Sequence, residues 1–145
     1  MFKLSKKADY ALIAVRHLAT HDGERSQSAA DIAEAYGISA TLLAKVLQRL
    51  AKHGLVTARH GSSGGYQLAR PAKEISALEV ISAVDGPLVI TSCVTNHGNC
   101  GHSDTCTVRE PLRRVNESIA QVLRAVTISQ MAEDSPDAEL VGLSI

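Results

Sequence analysis

The chain has 145 residues, of which 45% are hydrophobic and 21% charged, enough for one domain with its own core and no disulfide staples. No apolar run reaches the ~18 residues of a membrane span, and the opening Met-Phe-Lys-Leu-Ser-Lys-Lys has neither a signal core nor a cleavage site, so a cytoplasmic location is expected. The formal net charge of +0 is unevenly spread: residues 1–70 hold ten Lys/Arg against five Asp/Glu, and residues 71–145 the reverse, five against ten, which points the first half at a polyanion.

In chain order, Ser5 is placed to cap a helix over Lys6 to Thr20, with Ala8, Ala11, Leu12, Val15, Leu18 and Ala19 on one face. "SAADIAEAYGIS" predicts a second helix, started by Ser28 with Asp31 and ended by Gly37. Ile32, Ala33 and Tyr36 lie on one side of it. Ser39 caps a third helix whose stripe is Leu42, Leu43, Val46, Leu47 and Leu50, closed by Gly54. Two such helices joined through Gly37-Ile38-Ser39 make a helix-turn-helix.

"LVTARHGSSGGYQLARP" follows at once. It predicts a hairpin in which Leu55-Val56-Thr57 pairs with Tyr66-Gln67-Leu68 around a Gly/Ser tip. A hairpin after a helix-turn-helix is a wing. It carries Arg59, His60 and Arg70 and no acid, as a phosphate-facing element would. The third helix is then the one to enter a major groove. Ser39, Thr41, Lys45, Gln48 and Arg49 are its candidate DNA contacts, with Arg59, Ser62 and Ser63 from the wing. Lys3, Lys6 and Lys7 add phosphate contacts from the first helix.

Pro71 ends the wing, and Ser76 with Glu79 starts a short helix closed by Gly86-Pro87. All three cysteines come next, Cys93, Cys100 and Cys106, spaced C-x6-C-x5-C. Three thiols cannot all pair within one chain, and in a reducing compartment clustered cysteines bind metal or do redox chemistry. Zinc sites bring cysteines within two to four residues of each other; these gaps are wider and rich in polar residues. They suit an iron–sulfur cluster, 2Fe–2S or 4Fe–4S, with one coordination place left to another ligand. His97 and His102 lie in the same stretch. A thiol-redox or zinc switch is the alternative use of the same cysteines.

The last long helix is expected from about Thr107 to Val126. Leu112, Val115, Ile119, Val122 and Val126 recur at steps of three and four, an a/d seam. Arg113, Arg114, Glu117, Gln121 and Arg124 take the other side. The seam predicts a homodimer, which also suits paired DNA half-sites. The expected organisation is therefore mainly α: a winged helix-turn-helix domain over 1–86, a cysteine-bearing loop over 87–106, a dimerisation helix with a short following segment over 107–131, and an acidic, mobile tail over 132–145. No C-x-x-C pair, nucleophile set or phosphate-binding loop speaks for an enzyme.

The opening "LSKKADYALIAVRHLA", the turn "SAADIAEAYGIS", the wing "GSSGGYQLARP", "EVISAVDGP" and the cysteine triad resemble the winged-helix iron–sulfur repressors that include IscR and NsrR, over roughly residues 1–131. The likeness is greatest to the branch that regulates SUF iron–sulfur assembly. The resemblance implies a homodimeric repressor on palindromic double-stranded DNA, with Cys93, Cys100 and Cys106 as cluster ligands and iron–sulfur assembly or stress genes as targets. IscR-like members place a histidine ligand three residues after the third cysteine; Arg109 stands there. NsrR-like members use an aspartate early in the first helix, from the other subunit; here that is Asp9. Ala44 replaces a glutamate of the IscR recognition helix, so the IscR operator sequence does not carry over.

Overall fold

The computed structural model describes residues 4–22, 25–61, 64–89 and 107–133. Four local start signals become helices. Helix α1 (Lys6–Thr20) is capped by Ser5, whose hydroxyl accepts from the Ala8 amide at 3.1 Å. Helix α2 (Ala29–Tyr36) begins with a full capping box between Ser28 and Asp31 and ends at Gly37, left-handed at φ +65°. Helix α3 (Ala40–Lys52) is capped by Ser39, and α4 (Ala77–Asp85) by the Ser76–Glu79 box.

Between α3 and α4 the wing is an antiparallel pair, β1 (Val56–Arg59) and β2 (Gly65–Leu68), with Val56 opposite Leu68 and Thr57 opposite Gln67. The predicted hairpin forms with its first strand one residue further on: Val56, Thr57 and Ala58 face Leu68, Gln67 and Tyr66, and Leu55 lies just before the strand. Gln27 exchanges backbone bonds with Tyr66 in both directions, at 3.1 and 2.7 Å. The α1–α2 link is thus stitched to the wing as a further rung. A β-carbon at Gly65 would lie 2.5 Å from the Gln27 carbonyl, which explains glycine there.

Helix α5 (Arg109–Ala125) starts two residues later than expected, with Val126 as its C-cap. The chain then returns to the first core. Ala77 N–H donates to the Val126 carbonyl at 2.8 Å, and Ile128 N–H to that of Ile75 at 2.9 Å. A final helix, α6 (Ile128–Glu133), packs on α1, where Arg16 Nε donates to the Met131 carbonyl at 2.8 Å. Sequence reading gave this stretch only as a short following segment. Its signal was a Thr127–Gln130 capping box, with reciprocal bonds of 3.0 and 3.1 Å.

The core is one aliphatic cluster drawn from α1 to α4, β1 and α6. Ile32, Leu43, Leu47, Leu50, Ile75, Val80 and Ile128 are fully buried. Tyr36, on the same side of α2 as the buried Ile32 and Ala33, is 41% exposed. Its hydroxyl instead meets buried His17 Nδ1 at 3.0 Å, and the His17 ring stacks on His21 at 4.2 Å. Small residues make α1 a close-packing helix, with Ala8, Ala11 and Ala14 all at zero exposure. None of the described helices is long and apolar enough to cross a membrane.

Candidate nucleic-acid interface and cysteine-segment frame

Helix α3 divides cleanly. Leu43, Val46, Leu47 and Leu50 are buried, while Thr41, Lys45, Gln48 and Lys52 are exposed. Steps of four, three and four residues line the exposed four along one outward stripe. Lys52 extends the predicted set, and the same spacing would have found it. Ser39 is exposed, and its hydroxyl accepts weakly from the Leu42 amide at 3.4 Å. Arg49 is exposed but turned from the stripe; its Nη1 donates to the Val84 carbonyl at 3.4 Å.

On the wing, Arg59 is exposed and its Nε donates to Gln67 Oε1 at 3.1 Å. The cation is thus steadied on the strand and still faces outward. His60 is exposed as well. Arg70 corrects the expectation of a wholly phosphate-facing wing: it bonds Glu79 Oε1 at 2.8 Å and belongs to the wing–α4 joint. Ser62 and Ser63 lie outside the described residues, as does Lys3. Lys6 and Lys7 are exposed at the start of α1.

Both carboxylates of the capping boxes are tuned by their caps. The Ser28 hydroxyl and backbone N–H hold Asp31 below its ordinary value. For Glu79, partial burial works upward. The Ser76 amide and the Arg70 guanidinium together overcome it, and the net shift is down.

Cys93, Cys100, Cys106, His97 and His102 lie in residues 90–106, outside the described residues. The frame of that segment is described. Gly86, at φ +80° and ψ −170°, ends α4 and launches it; α5 receives it. Ser5 Oγ donates to the Asp85 carboxylate, 2.8 and 2.7 Å from its two oxygens. Asp9 is exposed one turn further along α1, its amide on the Ser5 carbonyl at 3.1 Å. Asp9 therefore stands one helical turn from the Ser5–Asp85 contact at the end of α4. Arg109 opens α5.

Helix α5 shows two apolar edges. Ala120 is buried, and half-buried Leu123 packs against the core. Val115 and Val122 are 48% and 63% exposed. Leu112, Ile119 and Val126 are half-buried beside them. The predicted seam is thus an apolar strip that the chain's own core leaves uncovered at Val115 and Val122.

Residues 4–134 match the Rrf2 family, described as iron-dependent transcriptional regulators. The chain belongs to that family. Relatives agree over nearly the full length. IscR of Xenorhabdus nematophila, an HTH-type transcriptional regulator, is 36% identical over 132 residues, covering 91% of this chain and 80% of that one. Among solved structures, IscR of T. potens superposes with a TM-score of 0.74 at 32% identity, covering 92% of this chain and 88% of that one. CymR, the global cysteine regulator of B. subtilis, superposes equally well, at 0.74 with 29% identity over 91% and 97% of the two chains. This Rrf2 protein is a winged-helix, DNA-binding transcriptional regulator, not an enzyme, as its sequence predicts.

Proposed function

We propose that this Rrf2 protein is a cytoplasmic homodimeric repressor that reads palindromic DNA with α3 and the wing, under the control of a labile iron–sulfur cluster. The outward stripe Thr41, Lys45 and Gln48 on α3 carries the reading. Groove contact needs polar and cationic side chains on the face opposite the core, and α3 has that division. Ser39 and Arg49 flank the stripe; Arg59, Ser62 and Ser63 take the backbone or minor groove.

The donor chemistry fits the cofactor. Three thiolates suit iron, and the Asp9 carboxylate, exposed one helical turn from the Ser5–Asp85 contact, is a hard fourth ligand that makes release easier. Cys93, Cys100 and Cys106 of one subunit with Asp9 of its partner would hold the cluster. When bound, it supplies a redox-reactive centre. The residues on either side do the rest: α4 and α5 both anchor the cysteine segment, so a change of its shape reaches α3 through α4 and the dimer through α5. Leu112, Val115, Ile119, Val122 and Val126 form the subunit contact. Half-sites one turn apart need recognition helices ~34 Å apart, so small rotations count. The regulated genes are those of iron–sulfur assembly or stress, with SUF assembly first among them.

Anaerobic reconstitution with iron and sulfide should give a coloured protein, and Cys100→Ala should bleach it. A colourless wild type carrying zinc, or one whose DNA affinity follows thiol oxidation alone, would favour the cluster-free switch instead. CymR of S. aureus, solved in an oxidised form, superposes on this chain at a TM-score of 0.73 and 28% identity, which keeps that second reading in play.

A further inference from the structure

The last turn of α4 is bonded on two sides. Towards α3, the Val84 carbonyl accepts from Arg49 Nη1 at 3.4 Å. Towards α1, both Asp85 oxygens lie within 2.8 Å of Ser5 Oγ. Ser5 is also the cap of α1, so one hydroxyl donates to Asp85 while accepting from the Ala8 amide. Beyond Asp85 come only Gly86, Pro87, Leu88 and Val89 before the cysteine segment.

An aspartate is an odd choice here. At the C-terminus of its own helix it meets the negative end of the dipole. It is tolerated because it lies at the positive N-terminus of α1, on the hydroxyl of the capping Ser5. Propensity therefore does not explain Asp85; the junction does. Helix α1 packs on α3 and α4 alike, so a clamp at this corner fixes the angle of the recognition helix.

We infer that Asp85 is a positioning residue for DNA binding: through Ser5 it locks the end of α4, the joint between the cysteine segment and the recognition helix. The regulatory half of this inference rests on the function proposed above; the positioning half does not.

The two halves are tested on the full chain with a duplex selected by the wild type from a random pool. Cluster-free Asp85→Ala should bind that duplex roughly threefold to tenfold more weakly, the scale of one lost charge-assisted bond. Its Ala8 amide and the last turn of α3 should exchange hydrogen faster. Asp85→Asn keeps an acceptor for Ser5 and should bind within about twofold of wild type, or tighter. Because Ser5→Ala also removes the α1 cap, the comparison is made on that background: adding Asp85→Ala to Ser5→Ala should cost no further affinity, as one shared bond requires.

The sign separates positioning from bulk charge. Removing a carboxylate near DNA strengthens binding if charge is all that matters. Asp85→Ala that binds as well as wild type or tighter, or unchanged exchange in α3, overturns the inference. The ratio of cluster-loaded to cluster-free affinity should also move towards one in Asp85→Ala. A wild-type ratio already at one, with the Asp85→Ala loss intact, sinks cluster sensing and leaves Asp85 supported as a positioning residue.

Discussion

Single residues set the joints of this molecule. Gly65 sits at φ +152°, and any β-carbon would lie 2.5 to 2.8 Å from backbone atoms of Gln27 and Ser28. Backbone cannot give as a flexible side chain can. Gly65→Ala should therefore cost about 1–3 kcal/mol and break the Gln27–Tyr66 rung, read as a lower melting temperature together with weaker DNA binding. Glu79 is a joint of another kind, gathering the Ser76 cap and the Arg70 ion pair. Its folded pKa is depressed, so its contribution is fully present above its ordinary value of 4.5 and fades as pH falls through the lowered folded value. The pair is partly exposed, so the effect is small. Urea melts of wild type and Glu79→Gln should differ at neutral pH and converge in acid; a gap that persists at the lowest pH would contradict the sign.

At the scale of elements, what the sequence made readable was local. Ser5, Ser28 with Asp31, Ser39, and Ser76 with Glu79 each declare a helix start within four residues, and all four became caps. The alternation around Gly61 to Gly65 declared the hairpin. What stayed hidden was contact between distant residues. Nothing near Arg70 says that it turns from the wing to Glu79. Nothing near Ser5 says that its hydroxyl meets a carboxylate 80 positions on. The return of Thr127 to Ser76 as a bridge is equally non-local. On the candidate site, the stripe of α3 was legible because helical period and burial agree, whereas the pairing of Arg49 with α4 was not. Helix α5 carries its own prediction. Val122 is 63% exposed, so Val122→Glu should leave the subunit folded. Placed twice across a two-fold contact, the glutamates should convert dimer to monomer in sedimentation or light scattering, since burying one valine is worth about 1.5–3 kcal/mol. An unchanged dimer would move the interface elsewhere.

The whole molecule is electrically lopsided, with its cations concentrated in the winged half and its carboxylates beyond residue 70. Zero net charge thus conceals a basic face. DNA affinity should fall steeply with salt, and Arg59→Ala should flatten log Kd against log salt by about one unit per subunit, the share of one phosphate contact. An unaltered slope would take the wing off the backbone.

The return of the chain after α5 reaches further. Because Ile128 is sealed into the core between α1 and the Ile75 strand-like turn, the long helix is an excursion that leaves the winged body and is stapled back onto it. A polypeptide severed between Val89 and Thr107 should therefore stay together as two fragments, migrating as one particle until denaturant parts them. The winged half alone, ending before α6, would carry an open apolar socket and depend on the missing piece to fill it. A gene for such a truncated half would encode a poor winged-helix fragment, since the winged body is completed by the stretch that follows α5.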